Sequence, residues 1–522
     1  AHIPVHLGSM PESVMAVLKR LGKLDDGDVA IVNDPFAGGT HLPDITLVTP
    51  VYCDGWLVGY AANRAHHADV GGISPGSMTL STHIDQEGIR IEPTLLYRRG
   101  QRNEELISRI LSAVRTPAER LGDLEAQLAA NHVGAAAMAK MVAAHGAEKI
   151  RAYGQALLDY SESFMSRAIA AIPDGEYRFE DQMDDGGTVT PSPCTQGGDS
   201  RLFPSPCTQG GDSRLSPSPC TQGEGRGEGS VRGQTDQGTG QSAKGTSSAF
   251  PPARSVPIRA VVRIIGDRAI VDLSDSADQV AGCVNCPAAV TRSAVYYCFG
   301  CLLDESIPLN GGAFRKIQVI TRPGSIAHAL YPAAVVAGNT ETSQRIVDVV
   351  LGALAQALPD KIPAASCGTM SSVALGGQGW TYYETIGGGC GAGPGWHGAS
   401  AIQCHMTNTL NTPAEAIEMQ YPLRVVRFER AVNSGGHGRY RGGDGIVRQI
   451  EALSACQGTI LSDRRVFAPY GLNGGGAAAP GRNGIIRIDG SVVALPGKAQ
   501  FWLQAADRLE IITPGGGGWG GA

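Results

Sequence analysis

The stretch NDPFAGGTHLPD, residues 33–44, carries more chemistry than a surface turn requires. It holds two aspartates, a histidine, a Gly-Gly pair and two prolines. A second stretch, NRAHHADVGG at 63–72, again sets histidine and aspartate among glycines. Two such stretches close together in the sequence predict one shared site, provided that the fold brings them together.

Short runs rich in Val, Ile and aromatic residues surround both stretches and predict β-strands. A Cys-Asp-Gly turn between the second and third runs predicts a hairpin. The 33–44 stretch is therefore predicted to be a loop between strands, with His66 just beyond the end of the third strand. The predicted strands cover residues 28–33, 45–52 and 56–63.

Composition excludes two broad classes of function for this chain of 522 residues. Lys and Arg number 43 against 49 Asp and Glu, and no basic block indicates nucleic-acid binding. No apolar run approaches the roughly 18 residues of a membrane span, so a cytoplasmic protein is expected. The twelve cysteines are irregularly spaced, which favours reduced thiols. Residue 1 is Ala within an apolar run, so we expect that a segment precedes it.

Residue patterns along the chain predict a multi-domain α+β fold. Ser9 and Glu12 have capping-box spacing at the start of a short helix, 9–22. A second hairpin is predicted around Gly266 and Asp267, and the clearest amphipathic helix covers 341–358. We expect an N-terminal α+β region with the metal loops (1–102), a helical segment (103–190), a repeat insertion (191–252), a central α+β region (253–410) and a β-rich C-terminal domain (411–522).

The repeat insertion consists of PSPCTQGGDSRLF, PSPCTQGGDSRLS and PSPCTQGEGRGEGS in tandem. Near-identical copies with few apolar residues cannot bury a core, so this segment is predicted to be disordered. The alternative is a metal-binding array of Cys194, Cys207 and Cys220. No second type of ligand accompanies these cysteines, which disfavours that alternative.

Three residues of the two histidine-bearing stretches form a candidate metal site: His41, Asp44 and His66. Two imidazoles and one carboxylate suit Zn, Mn or Fe(II) and leave positions open for substrate or water. In an extended segment His66 and His67 point to opposite sides, so only one of them can bind the ion. The alternative is that these side chains cap turns and satisfy buried amides.

Two further features allow either a functional or a structural interpretation. Cys283-x2-Cys286 and Cys298-x2-Cys301 have the spacing of a zinc knuckle, but the residues around them look like a loop that runs into a helix, which favours packed thiols. In GAGPGWHG, Trp396 and His397 lie among glycines that permit a close approach of backbone to a ligand. That loop is either a packing element or a wall of the active site.

Long ordered motifs from the first strands to the C-terminal glycines resemble a single known family. They are GDVAIVNDPFAGGTHLPDITLVTPV, NRAHHADVGGISPGSM, NTETSQRIVDVVLGAL, YYETIGGGCGAGPGWHGASAIQCHMTNTLNTPAEAIE, RYRGGDGIVR, DRRVFAPYGLNGG and ITPGGGGWG. Through these motifs the chain resembles the hydantoinase B/5-oxoprolinase family. That family includes N-methylhydantoinase B subunits, the C-terminal half of 5-oxoprolinase, and alpha-type subunits of acetone and acetophenone carboxylases.

The resemblance implies a division of labour with a second protein. Related carboxylase subunits hold a divalent metal through an aspartate and two histidines, which places the ligands on His41, Asp44 and His66. A hydantoinase A-type partner in this family binds ATP and phosphorylates a carbonyl or enolate oxygen. This chain has no GxxxxGK[ST] motif, in agreement with an ATP site elsewhere.

Together these implications predict that the chain is part of a hydrolase that acts on cyclic amides. The metal would act as a Lewis acid or supply hydroxide to an activated lactam carbonyl. The expected function is the B subunit of an ATP-dependent hydantoinase or 5-oxoprolinase. The alternatives are a subunit of an ATP-dependent ketone carboxylase and a non-catalytic scaffolding member. Candidate general acids, bases or orienting groups are Asp34, His67, Asp69 and Glu87.

Deleting residues 191–252 is expected to leave the melting temperature within about 2 °C of that of the full chain, because the tandem copies contribute nothing to a core. Thermal unfolding followed by circular dichroism measures this. Loss of soluble protein on deletion would contradict the prediction.

Overall fold

A computed structural model describes residues 3–188 and 255–521 of the chain. The predicted repeat insertion, with Cys194, Cys207 and Cys220, lies outside the described residues. None of the helices in the described ranges is long and apolar enough to cross a membrane.

Helices and strands alternate along the described chain in the mixture predicted for an α+β fold. The helices are α1 (Ser9–Leu21), α2 (Glu104–Ala113), α3 (Pro117–His145), α4 (Ala147–Ala170), α5 (Ala288–Gly300), α6 (Ser343–Ala357) and α7 (Ala414–Gln420). The strands are β1 (Val29–Val32), β2 (Asp44–Cys53), β3 (Trp56–His66), β4 (Thr94–Arg98), β5 (Gln101–Arg102), β6 (Gly175–Met183), β7 (Val256–Ile265), β8 (Arg268–Asp272), β9 (Ile317–Ile320), β10 (Ser372–Gly377), β11 (Trp380–Glu384), β12 (Leu423–Ala431), β13 (Gly445–Ala452), β14 (Cys456–Leu461), β15 (Arg482–Ile486), β16 (Val492–Leu495), β17 (Lys498–Leu503) and β18 (Arg508–Ile512).

The first sheet carries the two histidine-bearing stretches and has the strand order β3-β2-β1-β4-β5. Its strands pair antiparallel, and β2 and β3 form the predicted hairpin. Buried Val and Ile of β1 and β2 pack with Leu106, Ile110 and Leu124 of α2 and α3. The other face packs against α1 through Val17. Helices therefore cover both faces of β2, and this packing holds the β2–β3 hairpin in place.

A second sheet, β6-β7-β8-β9, is covered by α5 and α6. Strands β6 to β8 are antiparallel, with the predicted hairpin between β7 and β8, and β9 runs parallel to β8. The largest core gathers around this sheet and draws side chains from Val5 to Leu461. Segments that lie far apart in the sequence therefore share one hydrophobic core.

The C-terminal part forms two antiparallel sheets, as its alternating apolar pattern indicates. The strand orders are β11-β10-β14-β17 and β12-β13-β18-β15-β16. Their inner faces meet in a core of buried aliphatic and aromatic side chains that includes Leu375, Ile450 and Phe501.

Two local predictions were wrong because tertiary contacts use the side chains differently. Ser9 does not cap α1; Gly8 holds that position without a side-chain hydrogen bond, and Ser9 accepts a hydrogen bond from Arg64 at 2.7 Å. Glu12 pairs with Arg292 of α5 instead of closing a capping box. His66 is the last residue of β3 and not a loop residue, because its backbone pairs opposite Asp44.

A buried ion-pair network joins the second sheet, α6 and the C-terminal strands. Arg345 in α6 bonds Asp181 of β6 at 2.9 Å and Asp463, which follows β14, at 2.6 Å. Arg464 contacts the same Asp181 at 2.7 Å. Lys498 of β17 holds Asp463 at 2.8 Å. Both arginines are almost fully buried, so each charge depends on these partners.

Arg345→Met is expected to lower the free energy of unfolding by about 3 kcal/mol or more, because it removes the cation shared by Asp181 and Asp463 and leaves Lys498 alone to balance the buried Asp463 carboxylate. Chemical denaturation measures the change. Arg102→Met is the matched control, since Arg102 pairs with Glu104 at the surface, where solvent screens the interaction. Equal effects of the two substitutions would refute the prediction.

Candidate metal centre

The β2–β3 hairpin places the first two candidate ligands opposite each other. Asp44 opens β2, His66 closes β3, and the two residues are register partners across the antiparallel pair. His41 joins them through a tight turn in which the Asp44 amide donates to the His41 carbonyl at 3.0 Å. The His67 amide donates to the Pro43 carbonyl at 2.8 Å and fastens this turn to the end of β3.

The Gly-Gly pair of the first stretch lets this loop pack against its surroundings. Gly38 has φ +78°, and a Cβ there would lie 2.5 Å from the Glu12 carbonyl carbon of α1. A Cβ on Gly39 would lie 2.6 Å from the Asp34 carbonyl oxygen. Only glycine fits both positions, which explains why a loop that presents His41 contains the pair.

The three side chains converge, with one potential ligand atom of each lying within 4.8 Å of the others. His41 Nε2 is 3.3 Å from Asp44 Oδ2, and the two imidazole rings are 5.0 Å apart between centroids. His41 and Asp44 are buried, whereas His66 is exposed. In the described part of the chain, no other group of three His, Cys, Asp or Glu side chains meets this geometry.

The donor set fits a divalent metal ion. The His41 side chain is buried; its Nδ1 has no hydrogen-bond partner among the described residues, and the polar neighbour of its Nε2 is Asp44 Oδ2 at 3.3 Å. An unpaired polar atom in the interior costs free energy, and metal coordination removes that cost. Two imidazole nitrogens and one carboxylate oxygen match the ligand preferences of Zn, Mn and Fe(II) and leave coordination positions open.

Electrostatics keep these ligands in the forms that bind metals. Burial opposes ionisation of Asp44, yet the nearby His41 and His6 hold the pKa of its carboxyl well below its usual range. Packing around the ring and the neighbouring His41 lower the pKa of His66. At neutral pH the carboxylate is therefore ionised and the His66 imidazole neutral, as coordination requires.

Four further side chains contact the cluster or its neighbours, and the sequence analysis did not single them out. The Thr40 hydroxyl donates to Asp44 Oδ2. His6 Nε2 lies 3.9 Å from the same oxygen, and Arg64 contacts the other ring nitrogen of His6 at 3.2 Å. Tyr383 of β11 stacks on His66 with ring centroids 4.8 Å apart. No local pattern marks His6 or Tyr383, because both approach through the tertiary fold.

His67 and Asp69, two of the predicted helpers, face away from the cluster into contacts of their own. His67 Nε2 lies 2.9 Å from the Gln127 side-chain oxygen on α3. Asp69 is fully buried and accepts from the backbone and side chain of Arg115 at 2.7 and 2.9 Å. Both residues tie the chain after β3 to the helices beside it.

Asp34 and Glu87, the other two predicted helpers, also have partners in the protein. Asp34 caps the turn after β1 through the Phe36 amide and pairs with Arg90 at 3.2 Å. One oxygen of Glu87 accepts from the amides of Val335 and Val336 at 2.8 and 3.0 Å. Burial raises the pKa of Glu87 to about 8. Neither residue belongs to the three-ligand group.

The cysteine pairs and the GAGPGWHG loop lie in structural surroundings. Cys283, Cys286 and Cys298 are buried, Cys301 is exposed, and the four do not form a ligand group among the described residues. His397 Nδ1 accepts from the Arg441 amide at 2.9 Å. These contacts favour packed thiols and a packing loop over the two functional alternatives.

Comparison with known proteins relates this arrangement to a family. The family model described as hydantoinase B/oxoprolinase matches residues 1–198 and 226–522. The chain is 36% identical to 5-oxoprolinase 1 of Arabidopsis thaliana over 99% of its own length, but it spans only 37% of that relative. It is 27% identical to a putative D-/L-hydantoinase B subunit of a Pseudomonas strain and spans 80% of it. The crystal structure of the ATP-dependent caprolactamase from Pseudomonas jessenii has a TM-score of 0.80 at 25% identity, covering 99% of this chain and 82% of that one.

His66→Ala is expected to weaken metal binding by more than about 100-fold, because it removes one of three protein ligands. His67→Ala is the matched control, since the adjacent ring bonds Gln127 and should leave metal content unchanged. Elemental analysis of the purified variants, with circular dichroism to verify folding, tests both. Loss of metal from His67→Ala but not from His66→Ala would reverse the ligand assignment.

Proposed function

The chain belongs to the hydantoinase B/oxoprolinase family, and from this premise we propose that it is the metal-bearing B subunit of an ATP-dependent hydrolase that opens a cyclic amide. The observation that carries the proposal is the cluster of His41, Asp44 and His66, in which one nitrogen of a buried imidazole, His41 Nδ1, has no hydrogen-bond partner within the described ranges. An amide without ring strain resists hydrolysis at neutral pH. A metal ion held by such a cluster would assist that hydrolysis.

The residues around the cluster have separate tasks in this proposal. His41, Asp44 and His66 would hold a divalent ion, which when bound polarises a carbonyl or lowers the pKa of water. Thr40 and His6 keep the Asp44 carboxylate oriented toward the cluster. Tyr383 fixes the plane of the His66 ring by stacking on it. Fixed orientation of these side chains would keep the three ligand atoms ready to hold the ion.

ATP chemistry is assigned to a hydantoinase A-type partner in this proposal. The sequence has no GxxxxGK[ST] phosphate loop. The chain spans only 37% of the Arabidopsis 5-oxoprolinase, so most of that relative lies outside the match. The name of the Pseudomonas relative marks it as one subunit of a larger enzyme. All three observations support a division of one activity between two polypeptides or two halves of one polypeptide.

ATP-dependent ring opening is expected when the metal-loaded chain is combined with its A-type partner and a cyclic amide. Hydantoin, N-methylhydantoin and 5-oxoproline are the substrates to compare, with product amine and inorganic phosphate measured together. Asp44→Asn should abolish ring opening, since it removes the anionic ligand.

Two control measurements make this assay decisive. The chain alone is expected not to bind ATP in calorimetry, and micromolar affinity without the partner would contradict the assigned division. A parallel reaction with acetone and bicarbonate tests the ketone carboxylase alternative. Carboxylation of acetone without any ring opening would support the carboxylase alternative and contradict the hydrolase proposal.

A further inference from the structure

Two cysteines of the glycine-rich segment after β11 form a thiol pair: Cys390 and Cys404, whose Sγ atoms lie 3.2 Å apart. They are 14 positions apart in the sequence, and both are free thiols in this structure. A disulfide bond is about 2.05 Å long, so the two sulfurs need to approach by only about 1.2 Å to form one. Small rotations of the two side chains cover that distance.

Backbone hydrogen bonds hold the two ends of this loop together. Gly388 and Ile402, each two residues before a cysteine of the thiol pair, exchange two hydrogen bonds of 2.9 and 3.0 Å. The Cys404 carbonyl accepts from the side chain of Gln344 in α6 at 3.0 Å. The main chain has therefore already lost the conformational freedom that closing the disulfide would otherwise cost.

The glycines on either side of Cys390 pack directly against other segments of the chain. A Cβ on Gly389 would lie 2.0 Å from the Gly443 carbonyl oxygen. A Cβ on Gly391 would lie 1.8 Å from the Ala364 carbonyl oxygen. This close packing fixes the backbone of Cys390, so its sulfur stays directed at its partner.

The contact between two thiols distinguishes this pair from other buried cysteines. Cys286, Cys298 and Cys367 direct their thiols at backbone carbonyl oxygens at distances of 3.7, 3.8 and 3.7 Å. Such contacts are those expected of thiols that only fill space in a core. Cys390 has the sulfur of Cys404 as its neighbour instead.

The two members of the thiol pair differ in access and in ionisation. Cys390 is partly exposed, whereas Cys404 is buried. The contact with Cys404 lowers the pKa of the Cys390 thiol, and the Ser366 hydroxyl supports this against the effect of burial. Contacts with Cys367 and Cys390, together with burial, raise the pKa of Cys404. The more accessible thiol is thus also the more readily ionised, and the thiolate is the reactive form.

We propose that the thiol pair is a modification site at which a hydroperoxide oxidises Cys390 and Cys404 then closes a reversible disulfide. In the first step the Cys390 sulfur attacks one peroxide oxygen, so an S–O bond forms and the O–O bond breaks. The departing oxygen takes up the proton that the Cys390 thiol released. The Cys404 sulfur then attacks the Cys390 sulfenic acid, the S–S bond forms, and the hydroxyl leaves as water with the Cys404 proton. The two sulfurs lose two electrons, which the hydroperoxide gains.

The disulfide joins the two ends of an exposed loop that carries Trp396. A disulfide stabilises a fold mainly by restricting the unfolded chain, and a loop of about 15 residues is long enough for a measurable effect. Oxidation at this site therefore stabilises the chain. The thiol pair shares no residue with the metal cluster, so its oxidation does not depend on the reaction proposed there.

Peptide mapping of the full chain tests the pairing directly. The purified protein is treated with hydrogen peroxide, and the remaining thiols are blocked with N-ethylmaleimide. Chymotrypsin then cleaves after Trp396, which lies between the two cysteines, whereas no Lys or Arg lies between them. Without reductant the two chymotryptic peptides should stay joined, with a mass lower by two hydrogen atoms than their sum, and dithiothreitol should separate them.

Three results of this mapping would overturn the proposal. Cys390 could be joined to Cys367, or to a cysteine of the repeat insertion. Peroxide could convert Cys390 to a sulfinic acid without any cross-link. Both thiols could remain blocked by N-ethylmaleimide after peroxide treatment that oxidises free glutathione completely. The wild-type map decides the pairing whether or not a variant folds.

A pair of alanine variants tests the role of each sulfur. Cys404→Ala removes the attacking thiol, so the Cys390 sulfenic acid should persist and give about 10-fold more dimedone adduct than wild type. Cys367→Ala is the matched control, since it removes a neighbouring buried thiol and should leave the Cys390–Cys404 disulfide intact. Circular dichroism verifies folding. Equal dimedone labelling of Cys404→Ala and wild type, or loss of the disulfide in Cys367→Ala, would contradict the assignment.

Thermal unfolding measures the consequence for stability. Peroxide-treated wild type should melt about 3 °C above the reduced protein, and dithiothreitol should reverse this rise. Cys390→Ala should show no rise after the same treatment. A lower melting temperature of the oxidised wild type would show that oxidation damages the fold, against the proposal.

Discussion

The fold depends on buried charges that must pair with one another. Arg345 and Arg464 lie in the interior, where an isolated charge is very unfavourable, and Asp181 and Asp463 neutralise them. The four residues come from α6, β6 and the chain after β14. Because each ion pair needs its partner in a fixed position, the network sets the position of α6 relative to two sheets.

This constraint also holds the turn that begins α6. The same helix that carries Arg345 continues backward into a single turn of π-helix, Gly338–Thr342, with Glu341. Glu87 binds the amides of Val335 and Val336 just before that turn, and thereby connects it to the chain following β3. Two anchors therefore hold the turn, one in each direction along the chain.

Polar groups in this interior fall into two sets with different consequences. The charged groups of the ion-pair network all have partners, so they fix the relative positions of the elements that carry them. The buried His41 Nδ1 lacks a partner among the described residues, so it raises the free energy of the folded chain until a ligand satisfies it. Binding sites often hold such groups, since stability lost in the free protein is recovered on binding.

The sequence by itself determined the α+β class and the first hairpin, and it marked Asp44 and His66 as candidates without showing that they converge. A tight turn fixes the register of an antiparallel pair, so residues on either side of it meet at predictable positions. The sequence did not reveal the tertiary contacts of five residues: Ser9, Glu12, His6, Tyr383 and Glu341. Their partners lie on other elements, up to hundreds of residues away, and no local periodicity encodes such distances. Only the tertiary structure decided which buried polar groups are paired, because pairing depends on how whole sheets and helices pack.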